Sequence, residues 1–214
     1  MGTTLLIGSC EPFSGKSALV LGIAQQLIQS GLPFRFGKPL ATSLDWDPNK
    51  GPLPRPLIDD DVRFVGDTLG MAPDRLIPSL HLLSPTTATQ RLGGGQLDAG
   101  EGFTALQEQS AASDGVTLLE CAGTLQEGLL YGLSLPQLAE GLEASVVLVH
   151  LWQDSCSVDA LLAAKQTLGD RLVGVVLNAV TPDEVESLER QVVPALENLG
   201  LSVFGVMPRS PLLR

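Results

Sequence analysis

The chain has 214 residues, of which 44% are hydrophobic and 17% are charged, and its 13 basic and 24 acidic residues give a net charge of −11. This length fits one α/β domain with a large buried core, and the composition excludes an intrinsically disordered protein. The acidic balance argues against a general nucleic-acid binder and against a protein that docks on anionic membranes. It is compatible with a local basic pocket for a phosphate.

Targeting signals and a disulfide framework are not predicted. No apolar run approaches the roughly 20 residues that span a bilayer, and no basic segment precedes the short apolar run near the N-terminus. Cys10, Cys121 and Cys156 are odd in number and widely spaced, and with only two histidines they predict no zinc site. We therefore expect a reduced, cytoplasmic protein.

Hydrophobic patterning predicts alternating strands and helices. In the first half these are a strand at 3–9, a helix at 16–30, a strand at 34–38, a proline-rich loop at 39–56, a helix from Asp59 to about residue 69, a flexible stretch at 91–95 and a helix at 97–112. Then come a strand at 116–120, a helix at 135–142, a strand at 145–151, a helix at 158–168, a strand at 172–177, a helix at 183–199 and a strand at 202–206. This alternation predicts an α/β three-layer sandwich, a mostly parallel sheet with helices on both faces.

A phosphate-binding loop is predicted between the first strand and the first helix, where residues 8–17 read GSCEPFSGKS. Gly15 permits close approach of the backbone, Lys16 supplies positive charge for the β- and γ-phosphates, and Ser17 supplies a hydroxyl for Mg²⁺. Cys10 breaks the full GxxxxGK[ST] pattern at its first glycine. The position of GKS before a helix favours the phosphate loop over an ordinary turn with a solvated lysine.

Carboxylates at two places are candidates for the same Mg²⁺ site. Glu120 ends a strand predicted to be buried on both faces, where an unpaired carboxylate is costly. Asp60 and Asp61 begin the helix that Asp59 caps. Plainer interpretations stay open: Glu120 as an exposed loop acid, and the aspartates as ordinary residues of a first helical turn.

These segments together resemble a known family. They are EPFSGKS at 11–17, GKP at 37–39, DDD at 59–61, LECAG at 119–123, GVVLN at 174–178 and GVMP at 205–208. In this order and spacing the chain resembles the dethiobiotin-synthetase-like (BioD-like) P-loop NTPase family, which includes the N-terminal domain of long bacterial phosphotransacetylases and is related to cobyrinic acid a,c-diamide synthases. The sequence of the phosphate loop most resembles that of the phosphotransacetylase domain, whose role is often regulatory. One P-loop NTPase domain over 1–214 is expected, either alone or as part of a longer chain.

The resemblance implies ATP and Mg²⁺ as ligands and assigns roles to individual residues. Those that would bind the ATP phosphates are Ser14, Gly15, Lys16 and Ser17. Mg²⁺ would be held by Ser17, Glu120 and one of Asp60 and Asp61. Lys38 would match the lysine beside the substrate, so that Lys16 and Lys38 are the catalytic candidates.

The same resemblance implies a base pocket formed by Asn178, Pro208 and Arg209. A side-chain amide can both donate to and accept from a base edge, which suits Asn178, although an Asn after an apolar strand can equally cap a turn. Related proteins are often dimers, so a homodimer is expected.

Departures from the family pattern leave the function open. The loop lacks the Thr-Asp-Thr start of dethiobiotin synthetases, and Cys121 interrupts the glycine-rich segment that follows Glu120. The resemblance therefore implies nucleotide binding by this chain but does not identify its substrate. One hypothesis is an ATP-dependent ligase or phosphoryl-transfer enzyme acting on a small carboxylate or carbamate. The other is a nucleotide-sensing regulatory domain that acts on a partner with little turnover, and a third is an interaction domain whose loop no longer binds.

Overall fold

Nine parallel strands define the architecture of the computed structural model, which describes residues 2–46, 51–95 and 97–210. They are β1 (Thr3–Ser9), β2 (Phe34–Gly37), β3 (Leu40–Ala41), β4 (Leu76–Ile77), β5 (His81–Leu82), β6 (Val116–Glu120), β7 (Ser145–Leu151), β8 (Leu172–Val180) and β9 (Val203–Pro208). Seven of them form one sheet in the order β4-β2-β6-β1-β7-β8-β9, and β3 and β5 form a small second sheet. Every strand pairing is parallel.

Seven helices connect the strands in the described part of the chain. They are α1 (Lys16–Gln29), α2 (Asp60–Leu69), α3 (Pro85–Gly94), α4 (Glu101–Ala111), α5 (Leu135–Gly141), α6 (Val158–Leu168) and α7 (Val185–Asn198). Over the ranges 2–46, 51–95 and 97–210, no helix combines the length and the apolarity that a bilayer crossing requires.

The core is divided by the main sheet into two apolar layers. Alternate residues of a strand point to opposite faces, so Leu6 lies in one layer and Ile7 lies in the other. The second layer also contains Val20 of α1 and Val62 of α2, whereas the buried residues of α4 to α7 belong to the first layer. The predicted sandwich of a parallel sheet between two helical layers is confirmed.

Two predictions around residue 95 were wrong. Residues 91–94, predicted to be flexible, form the last turn of α3. That helix begins with a capping box in which Ser84 and Thr87 bond each other's backbone N–H groups, and Pro85 occupies the first turn. Because glycine has a low helix propensity, the glycines at 93 and 94 make this end of the helix difficult to predict from the sequence. The helix predicted over 97–112 begins only at Glu101, because Gly100 adopts φ 76°.

Several other boundaries also move. The proline-rich segment 39–56 contains β3, and its residues 47–50 lie outside the described residues. The strand predicted at 172–177 continues to Val180. A short 3₁₀ turn at 182–184 replaces the start of the helix predicted over 183–199. The predicted cap at Asp59 is confirmed, since its side chain accepts a hydrogen bond from the Asp61 N–H.

Gly115→Ala is expected to lower the free energy of unfolding by about 1–3 kcal/mol. A Cβ atom at this position would lie 1.9 Å from the carbonyl oxygen of Pro33, which the Val116 N–H holds at 2.9 Å. Urea denaturation followed by circular dichroism measures the change. The matched control is Gly22→Ala in α1, where nothing lies within 4 Å of the new methyl and stability is expected to rise by about 0.5–1 kcal/mol. Equal midpoints for the two variants would contradict the expected clash.

Candidate nucleotide site

The candidate residues meet at one edge of the main sheet. Lys38, Glu120, Asn178 and Pro208 each lie at or near the carboxyl end of a strand, and the phosphate loop at 10–15 follows β1. Because all the strands are parallel, these ends share an edge, which is where ligands bind in open α/β sheets.

Gly15 gives the phosphate loop its shape. It adopts φ 95° and ψ 22° at the N-cap of α1, and a Cβ atom there would come within 2.2 Å of the Asn178 amide nitrogen. Among residues 2–46, 51–95 and 97–210 no side chain caps α1, so the N–H groups of its first turn are available to an anion. This is the backbone arrangement that a phosphate requires.

Lys16, the first residue of α1, is buried, with 7% of its surface exposed. Its ammonium donates to the Ser9 hydroxyl at 2.9 Å. Burial lowers the pKa of Lys16 from its ordinary value, although the carboxylate of Glu120 opposes this shift. The Ser9 hydroxyl and the Glu120 carboxylate thus stabilise the Lys16 ammonium near the N-terminus of α1.

Glu120 is only 2% exposed. Its Oε1 accepts a hydrogen bond from the Ser17 hydroxyl at 3.1 Å, whereas its Oε2 is buried and has no hydrogen-bond partner in the part of the chain that the structure describes. Burial raises its pKa to about 7, although the positive charges of Lys38 and Lys16 oppose the rise. An orphaned carboxylate oxygen beside a hydroxyl is a donor set that Mg²⁺ accepts, so the residues present fit the ion.

Lys38 is held between two aspartates. Its ammonium lies 3.4 Å from Asp59 Oδ1 and 2.6 Å from Asp61 Oδ2. Burial opposes the charge on Lys38, but the carboxylates of Glu120, Asp59 and Asp61 outweigh this effect and raise its pKa. Lys38 therefore stays protonated even though only 3% of its surface is exposed.

Asp60 and Asp61 point in different directions. Asp61 lines the cavity beside the phosphate loop. Asp60 instead accepts hydrogen bonds from the Ser43 hydroxyl at 2.9 Å and from the Asp45 N–H at 3.1 Å. Of the two aspartates predicted as metal ligands, the fold brings Asp61 to the cavity and gives Asp60 a role in fixing the loop before α2.

Two cavities adjoin at the phosphate loop. The first, which we call the acceptor cavity, measures about 750 Å³ and is lined by these predicted residues: Ser14, Gly15, Lys16, Ser17, Lys38, Asp61 and Glu120. The second, the base cavity, measures about 650 Å³ and is lined by Asn178, Pro208 and Arg209 as well as by neighbouring apolar residues. Phe13 and Gly15 line both cavities.

The acceptor cavity also contains residues that sequence reasoning missed. Thr42, Ser43, Leu83 and Glu127 line it, and Glu127 accepts a hydrogen bond from the Gly123 N–H. None of the four belongs to a recognisable motif. They reach the cavity from the segments that follow β3, β5 and β6 in the chain.

Asn178 has two roles at once. Its amide nitrogen donates to the Ser14 carbonyl at 2.7 Å, and its Oδ1 accepts from the Ala179 N–H at 2.7 Å. Asn178 lies within β8 rather than after it, and its side chain supports the phosphate loop while it lines the base cavity.

The sequence model of the AAA domain family matches residues 3–214. The chain belongs to this family. It is also 30% identical over 201 residues to the ATP-dependent dethiobiotin synthetase BioD of Pseudomonas aeruginosa strain LESB58, with 91% of this chain and 85% of that protein covered. The identity and coverage are the same for the BioD protein of strain PAO1. The predicted BioD-like P-loop NTPase family is confirmed, and the closer likeness to phosphotransacetylases stays a prediction.

Solved structures share the fold. The MinC:MinD cell division complex of Aquifex aeolicus superposes with a TM-score of 0.56 at 14% identity, covering 99% of this chain and 83% of that one. Chloroplast FtsY from Physcomitrella patens gives 0.54 at 13% identity, and the match covers 96% of this chain but only 58% of the FtsY chain.

Glu120→Gln is expected to remove a pH dependence of stability in the absence of nucleotide and metal. The pKa of Glu120 is about 7 in the folded chain, above its ordinary 4.5, so the folded state binds the extra proton between these values. The free energy of unfolding therefore falls as the pH rises through this window, by about 3 kcal/mol.

Urea denaturation at several pH values between 4.5 and 7.5 compares wild type with this variant and with Glu197→Gln, a change at an exposed position of α7. We expect the fall to be flattened in Glu120→Gln and retained in Glu197→Gln. Parallel curves for all three proteins would show that Glu120 is ionised at its ordinary pKa.

Proposed function

We propose that the chain binds ATP with Mg²⁺ at the sheet edge and uses it in an ADP-forming ligase reaction on a small carboxylate or carbamate. The observation that supports this most is the adjoining pair of cavities. The base cavity is lined by the residues proposed to bind the base, and the acceptor cavity is lined by two buried lysines, Lys16 and Lys38. The match to ATP-dependent dethiobiotin synthetases agrees with it.

The lining of the two cavities supports one orientation of a bound nucleotide, with its base in the base cavity and its phosphates toward the acceptor cavity. A base in the cavity of Asn178, Pro208 and Arg209 would place the phosphate tail across Gly15 toward Lys16. The free N–H groups at the start of α1 and the Lys16 ammonium would then bind the tail. Mg²⁺, held by Ser17, Glu120 and Asp61, would neutralise charge on the β- and γ-phosphates.

The acceptor would lie in the acceptor cavity beyond the phosphate loop. An oxygen of its carboxylate or carbamate would attack the γ-phosphorus, the bond from that phosphorus to the β–γ bridging oxygen would break, and ADP would leave. Lys16 and Lys38 would stabilise the charge that spreads over the transferring group. Thr42 and Ser43, which also line the cavity, would position the acceptor.

One observation favours the second candidate, a nucleotide-sensing domain with little turnover. Lys38 is already paired with Asp59 and Asp61, which reduces the positive charge that it offers to an anionic acceptor. Under this candidate the same site binds nucleotide and signals to a partner.

The main sheet contains both the first strand, β1, and the last described strand, β9, which supports the proposal of a single nucleotide-binding domain over 1–214. The homodimer and the cytoplasmic location stay predictions.

Lys16→Ala is expected to weaken ADP binding in the presence of Mg²⁺ by roughly 10–100-fold, since a hydrogen bond to a charged group contributes about 1.5–3 kcal/mol. Isothermal titration calorimetry measures the affinity. Lys165→Ala is the matched control, because Lys165 lies on α6 and donates to the Gly169 carbonyl far from the site. Equal affinities for the wild type and Lys16→Ala would argue against nucleotide binding at this loop.

The ligase and the sensor make opposite predictions about turnover. A coupled ADP-release assay with a panel of small carboxylates, and of amines with bicarbonate, is expected to show multiple turnovers with at least one acceptor. Lys38→Ala should then reduce that turnover at least tenfold while ADP affinity changes little. The sensor predicts a rise in unfolding temperature with nucleotide, corresponding to about 2.7 kcal/mol at a hundredfold excess over Kd, with negligible ADP release for every acceptor.

A further inference from the structure

Three side chains with metal-binding atoms meet where the phosphate loop contacts the end of β7. The candidate ligand atoms of Cys10, Glu11 and His150 all lie within 4.8 Å of one another. Glu11 Oε1 accepts a hydrogen bond from the Leu151 N–H at 2.6 Å and lies 3.3 Å from His150 Nδ1. The Cys10 thiol donates to the Ala160 carbonyl at 3.5 Å.

His150 is the unexplained member of this cluster. Only 2% of its surface is exposed. Its Nδ1 contacts the Glu11 carboxylate at 3.3 Å, whereas its Nε2 has no hydrogen-bond partner among the described residues. Burying an imidazole in this way is costly, and most buried polar side-chain atoms in folded proteins are satisfied. Because Nδ1 faces the Glu11 carboxylate, an ion bound between the two side chains would be held by both.

We propose that Cys10, Glu11 and His150 form a binding site for a borderline-soft divalent cation of the Zn²⁺ class. Thiolate sulfur, carboxylate oxygen and imidazole nitrogen are the three ligand types that zinc takes from proteins. Bond lengths of about 2.0–2.3 Å place two tetrahedral ligands roughly 3.4–3.7 Å apart. The candidate ligand atoms, which all lie within 4.8 Å of one another, would therefore need to approach by at most about 1.4 Å when an ion binds.

Charge and protonation are balanced at this site. A thiolate, a carboxylate and a neutral imidazole together neutralise a divalent cation, which suits a largely buried position. Burial raises the pKa of the free Cys10 thiol to about 12, so the Cys10 S–H bond breaks on binding, the sulfur bonds the metal and one proton goes to solvent. Burial opposes ionisation of Glu11, but contacts with His150 and the Leu151 N–H outweigh this and lower its pKa.

The site is separate from the nucleotide site. Cys10, Glu11 and His150 line neither the base cavity nor the acceptor cavity. Cys10 and Glu11 are half-buried, which leaves solvent access for the ion and for a water as fourth ligand. An ion here would tie the start of the phosphate loop to β7. The spacing of cysteines and histidines in the sequence predicted no zinc site, because the fold alone brings these residues together.

Cobalt(II) added to the purified, reduced full chain in excess Mg²⁺ is the test, because thiolate-bound tetrahedral Co²⁺ absorbs in the visible and gives a sulfur-to-cobalt charge-transfer band. We expect one equivalent to produce both features in the wild type and Zn²⁺ to displace the Co²⁺. Cys10→Ser should abolish the charge-transfer band. His150→Gln should weaken Zn²⁺ binding at least tenfold in competition with a chelating dye.

The control variants are Cys156→Ser, an exposed cysteine, and Cys121→Ser, which lines the acceptor cavity. Both should retain the band. Absence of a thiolate band in the wild type overturns the proposal and leaves the contact between Glu11 and His150 with a structural role. This conclusion does not depend on how stable the variants are. A band that survives Cys10→Ser, or one that disappears in Cys121→Ser or Cys156→Ser, places the ion elsewhere and overturns it equally.

Discussion

Mutual compensation of buried charges at the carboxyl edge of the sheet is the constraint on which the site depends. Lys16, Lys38 and Glu120 are each less than a tenth exposed, and the Glu120 carboxylate opposes the burial penalty of both ammonium groups. Asp59 and Asp61 supply the remaining negative charge beside Lys38. Loss of one member would leave an uncompensated buried charge, which is why these groups act as one unit.

Strand order decides which groups share that edge. β1 pairs with β6 on one side and with β7 on the other. The phosphate loop that leaves β1 therefore lies between Glu120 at the end of β6 and His150 near the end of β7. The loop carries Cys10 and Glu11 of the proposed zinc site, and Ser17 in the helix that follows it contacts Glu120 of the proposed magnesium site.

The site also shows why the net charge of −11 says little about ligands. Lys16 and Lys38 are brought to one cavity by strands β1 and β2, which are separated in the sheet by β6. A protein with few basic residues can in this way hold two of them at a phosphate site, because local placement outweighs overall composition at short range. Acidic partners within the same cavity then make it suitable for a cation as well.

The sequence by itself determined the parallel α/β sandwich, the phosphate loop and the cap at Asp59, because hydrophobic period, glycine placement and capping chemistry are local properties. Only the tertiary structure distinguished Asp61 from Asp60, since neighbouring residues of one helical turn differ only in the direction that the fold gives them. It also decided the course of α3, where Ser84 and Thr87 begin a helix whose glycine-rich end is typical of a loop. The meeting of Cys10, Glu11 and His150 depended on the pairing of β1 with β7, a contact between residues about 140 positions apart that no local pattern encodes.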